Sequence, residues 1–215
     1  MNVKNVLFDF NGTIVNDLDL CLNLLNTMLK MRNHETVSLE NYLNIFDFPV
    51  IEYYKKAGFV FPEDNFPVLA EFFIKEYKEN NKYCPLHDGV EEVLAILKSK
   101  GLKLYIVSAS EINLLNDQLK LYNIHHYFDG VSGLDNINAS SKIESAKMFV
   151  EKLNLNKEET IFVGDTLHDG DVGDVLGVKT ILLSIGHQSR ERLLKSNKQV
   201  CSSFKDLLAY LNSEV

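Results

Sequence analysis

The chain has 215 residues, of which 46% are hydrophobic and 24% charged, a composition typical of a globular protein with a substantial buried core. Its formal charge of −8 and its lack of any basic block argue against binding along a nucleic-acid polymer. The apolar runs are too short to span a bilayer, and three widely spaced cysteines predict reduced thiols, so we expect a cytoplasmic protein with no membrane partner.

The first predicted element is a short buried strand near the N-terminus. An apolar run from Val3 ends abruptly at Asp9, and Gly12 and Thr13 follow within four residues. In an open parallel sheet the carboxyl ends of the strands carry the chemistry, and a glycine lets the backbone turn sharply there. A strand that ends in an ordinary aspartate turn fits this stretch equally well, so later parts of the chain must decide between the two interpretations.

A helical region without a convincing strand comes next. Apolar residues recur at helical spacing from Asp17 to Leu29, with Asn16 or Asp17 as the candidate cap. Further helical stretches run from Ser38 to about Tyr83, where proline and glycine interrupt them. The many aromatic side chains here are expected to form a core of their own, and the exposed minority would line a cleft facing Asp9. We therefore expect two domains: an α/β core domain of residues 1–15 and 84–215, and a helical cap domain of residues 16–83.

Strands and helices alternate in the rest of the chain. The pattern predicts strands at Leu102 to Ser108, Tyr127 to Val131, Thr160 to Gly164 and Val178 to Ser184. Helices are expected from Val90, from Ile112 to Tyr122, from Ser141 to about Leu153, and from Ser203 to Leu211. Such alternation predicts a Rossmann-like parallel sheet with helices on both faces.

Polar residues follow the ends of these predicted elements. They are Asp9 after the first strand, Ser108 after the second, Lys142 at a helix start, and Asp165 with Asp169 after the fourth. Each has an ordinary explanation: a turn, a helix cap or a solvated lysine. Because the carboxyl ends of parallel strands share one edge, all of them can instead converge on one site.

This set suits phosphoryl transfer. A carboxylate can attack phosphorus and form an aspartyl-phosphate, but a dianionic phosphate repels it, so a divalent cation is needed between them. Asp9 and Asp165 offer the hard oxygen ligands that Mg²⁺ prefers. Lys142 would stabilise negative charge in the transition state, and Ser108 would donate to a phosphoryl oxygen.

In this order the residues resemble the haloacid dehalogenase superfamily, and within it phosphoglycolate-phosphatase-like hydrolases with a helical cap. The stretch DFNGT at Asp9 resembles the D-x-D-G-T motif, and IVSAS resembles the apolar strand that ends in Ser or Thr. Lys142 falls where the superfamily has its lysine, and GDTLHD at Gly164 matches G-D-x-x-x-D. The first and last motifs are fairly specific, whereas the Ser and Lys motifs gain weight only from their position.

The resemblance implies a role for each matching residue. Asp9 would be the nucleophile, and Mg²⁺ would be bound by the Asp9 side chain, the backbone carbonyl of Asn11 and the Asp165 carboxylate, with Asp169 supporting the metal directly or through a water or Lys142. The implied catalytic residues are Asp9, Asn11, Ser108 and Lys142. The implied phosphate-binding residues are Gly12, Thr13, Ser108, Ala109 and Lys142. The inserted helices would be a mobile lid that excludes water and selects the substrate.

Asn11 departs from the motif. The superfamily's second aspartate protonates the leaving group and then activates water, and an amide can do neither. General acid–base help is typically worth about 10²- to 10⁴-fold. The substrate could have a good leaving group, His87 or a lid residue could substitute, the chain could be a variant that traps the phosphorylated state, or it could bind phosphates without turnover.

We expect a magnesium-dependent phosphatase of a small phosphorylated metabolite, acting as a monomer or a homodimer, with activity reduced or specialised by Asn11. One alternative is a non-catalytic phosphate-binding or regulatory member of the same fold. Another is a 2-haloacid dehalogenase, whose relatives need no metal. The pair Asp165 and Asp169 favours the metal-dependent reaction over that last alternative.

Overall fold

The structure, a computed structural model, describes residues 2–134 and 141–214. Within them lies a six-stranded parallel sheet. Its strands are β1 (Asn5–Phe8), β2 (Lys103–Glu111), β3 (Gly130–Leu134), β4 (Thr160–Gly164), β5 (Lys179–Leu183) and β6 (Gln199–Cys201). They are ordered β3-β2-β1-β4-β5-β6, and every neighbouring pair is parallel. The first strand, followed by Asp9, is therefore at the centre of the sheet.

Helices connect these strands, and half of them lie in the long segment between β1 and β2. They are α1 (Leu18–Met31), α2 (Leu39–Ile45), α3 (Val50–Ala57), α4 (Phe66–Asn80), α5 (Val90–Ser99), α6 (Ile112–Leu121), α7 (Lys142–Lys152), α8 (Leu167–Leu176), α9 (Arg190–Leu193) and α10 (Phe204–Glu214). Among the described residues, none of the helices has both the length and the apolar character needed to cross a bilayer.

Helices cover both faces of the sheet. In the central strand, Val6 and Phe8 face an apolar cluster that includes residues of α5, α6 and α10. Leu7 points to the opposite face, where it packs with residues of α7 and α8. A strand buried on both sides must be apolar at every position, which explains the unbroken hydrophobic run in the sequence. The predicted α/β fold, with a parallel sheet between two helical layers, is confirmed.

Helices α1 to α4 enclose a separate apolar cluster. Several of its buried side chains are aromatic, and aliphatic residues of α1 complete it: Tyr42, Tyr53, Tyr54, Phe59, Leu25, Met28 and Leu29. Aromatic rings bury large areas for few residues, so they can give a small helical unit its own core. The helical region thus has the aromatic core expected of it.

Several elements differ at their ends from the prediction. β2 continues to Glu111 rather than ending at Ser108, and its register against β3 shifts between Val107 and Glu111. β3 begins only at Gly130, because His125–Tyr127 forms a 3₁₀ turn instead of strand. The edge strand β6 was not predicted at all, since its three residues are too few to show an alternating pattern.

Candidate active site

Asp9 lies directly after the central strand, where its backbone N–H donates to the carbonyl of Val163 in the neighbouring strand (2.8 Å). Its side chain is buried, and Oδ1 lies 2.6 Å from Nζ of Lys142. Burial raises the pKa of the Asp9 carboxyl to about 7, since the opposing effect of the Lys142 charge is smaller and the nearby Asp169 and Asp165 carboxylates raise it further. A rigid, buried carboxylate with one cationic partner is thus fixed at the centre of the sheet edge.

Lys142 is the first residue of α7, and Ser141 before it accepts a hydrogen bond from the backbone N–H of Glu144, which fixes the helix start. The Lys142 side chain is buried, and its ammonium group lies 2.6 Å from both Asp9 and Asp169. Burial alone would lower the pKa of Lys142, but the Asp169 and Asp9 carboxylates raise it above its usual range. The lysine is therefore a permanent positive charge between two carboxylates rather than a solvated side chain.

Asp165 follows β4 and is completely buried. Its Oδ1 accepts from the Thr13 hydroxyl (2.9 Å) and its Oδ2 from the backbone N–H of His187 (2.7 Å). Burial raises the pKa of Asp165 to about 6. Gly12, with φ of +74°, passes so close that a Cβ there would lie 2.5 Å from Asp165 Oδ2. These two donors thus hold the orientation of the Asp165 carboxylate.

The Asp169 carboxylate accepts more hydrogen bonds than the Asp165 carboxylate does. Its Oδ2 accepts from the backbone N–H groups of Asp165 and Thr166 (3.1 and 2.9 Å) and from the Thr166 hydroxyl (2.7 Å), while Oδ1 accepts from Lys142 (2.6 Å). Thr166 and Asp169 form a capping box that starts α8, so Thr166 rather than Asp165 caps this helix. Burial would raise the pKa of Asp169, but the Lys142 charge lowers it. Asp169 is ionised and fixes the position of Lys142.

The donor set fits a divalent cation. Oxygen atoms from the carboxylates of Asp9, Asp165 and Asp169 lie within 4.8 Å of one another, and all three side chains are buried. Three buried acids with one lysine leave uncompensated negative charge, and a hard divalent ion that prefers oxygen ligands would neutralise it. The structure therefore brings together the acids that the sequence suggested as metal ligands.

The remaining predicted residues lie around the same edge. Ser108 is buried, and its hydroxyl oxygen accepts from the backbone N–H of Ser110 (3.0 Å), while Ala109 between them is exposed. Thr13 directs its hydroxyl toward Asp165 rather than into open space. His87 is buried behind the turn, where Nε2 donates to the carbonyl of Gly12 (3.0 Å), and burial lowers the pKa of its ring. In this position His87 supports the turn after Asp9.

Asn11 is partly buried, and its amide is fully engaged. Nδ2 donates to Asp17 Oδ2 (3.1 Å) and contacts the hydroxyl of Tyr77, whereas Oδ1 accepts from the Ser110 hydroxyl (2.8 Å). A carboxylate on one side and a hydroxyl donor on the other fix which atom is nitrogen and which is oxygen. Asn11 thus connects the turn to β2 on one side and to helix α4 on the other.

Asp17, which the sequence suggested as a cap of α1, makes no capping hydrogen bond there. Its carboxylate is buried and lies 3.0 Å from Nε2 of His187, while Nδ1 of the same ring lies 2.9 Å from the Tyr42 hydroxyl. Burial opposes both charges, but their attraction prevails: the pKa of Asp17 is lowered and that of His187 is raised to about 9. Asp17 and His187 form a buried ion pair beside the site.

The site residues predicted from the sequence did not include Asp17, Tyr77 or His187. His187 carried a usable signal, because it follows the strand β5 at the same sheet edge as Asp9 and Asp165. Tyr77 carried none, since it is one of many aromatics at helical spacing and lies 66 residues from Asn11 in the chain. Only the folded chain shows that these side chains meet.

The helical region docks against the loop after β5. Gln188 Nε2 donates to the carbonyl of Phe46 (2.9 Å), and Arg192 pairs with Asp47 (2.7 Å). The Phe46 ring stacks on the ring of His187, with 4.7 Å between centroids. The segment that holds Asp165 through its peptide N–H therefore also contacts the helical region α1 to α4.

A parallel α/β sheet with acids and a lysine at its carboxyl edge, and helices inserted after the first strand, defines a class of hydrolases. The family model "Haloacid dehalogenase-like hydrolase" matches residues 6–183, and the chain belongs to this family. The resemblance seen in the motifs is thereby confirmed.

Similar proteins cover the chain almost from end to end. The pyrophosphatases PpaX of Halalkalibacterium halodurans and Listeria innocua are both 26% identical, over 97% and 99% of this chain and 96% and 98% of their own. A haloacid dehalogenase-like hydrolase from Streptococcus pneumoniae superposes with a TM-score of 0.83 at 21% identity, covering 98% of this chain and 99% of its own. A predicted phosphoglycolate phosphatase from Haemophilus somnus has a TM-score of 0.75 at 23% identity, over 98% and 99% of the two chains. The solved structures show that the fold is shared.

Proposed function

We propose that the protein is a magnesium-dependent phosphatase that acts on a small phosphorylated compound through an aspartyl-phosphate at Asp9. The observation that carries this proposal is the buried group of Asp9, Asp165 and Asp169 around the Lys142 ammonium. Its arrangement supplies a nucleophile, an oxygen-rich cation site and a fixed positive charge within a few ångströms. Phosphoryl transfer depends mainly on such positioning and charge neutralisation.

Each residue has a defined part in this proposal. The Asp9 carboxylate attacks phosphorus, and Lys142 both orients that carboxylate and neutralises charge on the phosphoryl oxygens. Mg²⁺ would be held by the side chains of Asp9 and Asp165 and the backbone carbonyl of Asn11, and it would supply the charge that lets an anionic nucleophile approach a phosphate. Asp169 maintains Lys142 in place. Ser108 lies at the same edge, and its hydroxyl would donate to a phosphoryl oxygen.

Residues 16–83 are proposed to act as the cap of this site. Their helices have a separate apolar core and contact the core domain through polar links at Asn11 and at the loop carrying His187 and Gln188. Hydrogen-bonded contacts of this kind can open and re-form more readily than an apolar interface. The cap would exclude bulk water while the phosphoryl group is transferred to Asp9, admit the water that then hydrolyses the aspartyl-phosphate, and select the substrate.

The amide at position 11 narrows the substrate class. Asn11 cannot protonate a departing alkoxide, so a substrate whose leaving group is already stable as an anion is favoured. Pyrophosphate, whose leaving group is phosphate itself, fits this requirement better than an alkyl phosphate. The PpaX relatives are named for that activity, which supports including pyrophosphate first among candidate substrates. The three buried free cysteines support the expected cytoplasmic location.

The proposal is tested by phosphate release from pyrophosphate, p-nitrophenyl phosphate and phosphoglycolate, with Mg²⁺ and with EDTA. Wild type should release phosphate only with Mg²⁺, and Asp9→Asn should abolish release. Asp171→Asn, at an exposed acid on α8, is the matched control and should leave the rate unchanged. Equal rates in wild type and Asp9→Asn would reject the proposal.

Asn11 favours one second candidate, a non-catalytic module that binds phosphate compounds. Such a protein would bind pyrophosphate with Mg²⁺, as measured by calorimetry, without releasing product. The metal-independent 2-haloacid dehalogenase alternative predicts halide release in EDTA. Phosphate release above background that disappears with Asp9→Asn and with EDTA would exclude both.

A further inference from the structure

Asp17 is surrounded by donors. Oδ1 accepts from the backbone N–H of Gly12 (2.9 Å) and pairs with His187 (3.0 Å), while Oδ2 accepts from the Tyr77 hydroxyl (2.7 Å) and from Asn11 Nδ2 (3.1 Å). Only 2% of its side chain is exposed. Every one of these groups presents a hydrogen to the carboxylate, so the pocket specifies an anion at this position.

The same geometry determines which residue fits at position 11. The group facing Asp17 Oδ2 must be a donor, and the amide nitrogen of Asn11 is one. An ionised aspartate at the partly buried position 11 would put a carboxylate oxygen about 3 Å from the buried carboxylate of Asp17, and such like charges cannot both remain ionised cheaply. The asparagine at position 11 and the aspartate at position 17 are therefore a matched pair.

We propose that Asp17 is a positioning residue. Six residues further along the chain, it supplies the carboxylate that position 11 lacks, and it thereby makes asparagine the functional residue at position 11. This inference rests on the proposed phosphatase function. Through Gly12 N–H and the Asn11 amide, Asp17 fixes the turn that follows the nucleophile. Through the Tyr77 hydroxyl, it also fixes α4 of the cap against that turn.

The pair can be exchanged without losing a hydrogen bond. In the double variant Asn11→Asp/Asp17→Asn, the new carboxylate at position 11 accepts from the new amide at position 17, from Tyr77 and from Ser110. The new amide oxygen accepts from Gly12 N–H and His187. Net charge is unchanged, and the three hydrogen bonds that join position 11, position 17 and Tyr77 reverse their direction. Each single variant, in contrast, places two acceptors or two donors against each other.

The experiment compares wild type, Asn11→Asp, Asp17→Asn and the double variant for kcat, KM and half-saturating Mg²⁺, at a temperature where circular dichroism shows all four folded. Each single variant should lower kcat about 10- to 100-fold, since misplacing catalytic groups by about 1 Å can cost that much. The double variant should recover to wild-type kcat or above. Asn16→Asp, which adds a carboxylate at an exposed neighbouring position, is the control and should change nothing.

A faster Asn11→Asp single variant, or single effects that simply multiply in the double variant, would overturn the inference while leaving the phosphatase proposal standing. Recovery of stability without recovery of kcat would also overturn it, because that pattern is merely structural. If wild type releases no phosphate, the proposed function fails, and the Kd for Mg²⁺ measured by calorimetry then decides. Weaker Mg²⁺ binding in both single variants and recovery in the double variant support the positioning role of Asp17, whereas independent effects reject it.

Discussion

Lys142 is the most informative single position, because its ammonium group is the counter-charge for two buried acids. Lys142→Met keeps the length and apolar stem of the side chain but removes the charge 2.6 Å from Asp9 and from Asp169. Removing one partner of a buried ion pair typically destabilises by about 3–5 kcal/mol. Against a typical domain stability of about 5–15 kcal/mol, the variant should still fold but with a much lower urea midpoint.

The loss of folding stability in Lys142→Met should depend on pH in a defined direction. The pKa of Asp9 is already raised to about 7 by burial, and without Lys142 it rises further. The folded variant therefore binds a proton that the unfolded chain, with an aspartate pKa near 3.9, does not bind at neutral pH. The stability that this bound proton contributes is fully present at a pH below the unfolded pKa of Asp9, and it is lost as the pH rises through the folded pKa of Asp9. The destabilisation relative to wild type should be larger at pH 8 than at pH 5.5.

Urea unfolding followed by circular dichroism in EDTA measures this difference. Lys147→Met, at an exposed lysine on the same helix, is the matched control and should stay within about 0.5 kcal/mol of wild type. Mg²⁺ should restore part of the stability of Lys142→Met, since a ligand at 100 times its Kd adds about 2.7 kcal/mol. A Lys142→Met midpoint equal to that of wild type at pH 8 would refute the assignment of Lys142 as the structural counter-charge.

Three further outcomes are expected. In EDTA, Asp9→Asn should gain stability relative to wild type as pH rises from about 4 to 7, by about 4 kcal/mol for a shift of about three pKa units; parallel pH profiles of the urea midpoint would contradict this. Gly186→Ala should weaken Mg²⁺ binding in calorimetry at least about tenfold, because a Cβ there lies 2.2 Å from Asp165 Oδ2; unchanged affinity would show that Asp165 is not a ligand. Tyr77→Phe should lower kcat more than it changes KM for pyrophosphate, because it removes the hydrogen bond that links α4 to Asp17. Unchanged kinetics would show that Tyr77 has no part in positioning the site.

The sequence could predict the features that a local residue pattern determines, namely the buried strands and the acids that follow them. The apolar run before Asp9 and the stretch before Asp165 both indicate buried strands, and parallel topology then places both acids at one edge. The contacts of Tyr77 with Asn11 and Asp17 could not be predicted, because Tyr77 lies 66 and 60 residues from them in the chain. Nothing in the spacing of aromatics distinguishes a residue that reaches the site from one that fills the apolar cluster of helices α1 to α4.

The charges around the site explain why an amide is tolerated, and indeed required, where related motifs have an acid. Four buried carboxylates and two buried cations meet there: Asp9, Asp17, Asp165, Asp169, Lys142 and His187. Four negative and two positive charges leave a formal charge of −2, which one divalent cation neutralises. A fifth carboxylate at position 11 would exceed that charge balance directly beside the buried Asp17 carboxylate. The chain has an acid at position 17 instead of position 11. An aspartate at position 11 is therefore accommodated only together with an uncharged residue at position 17.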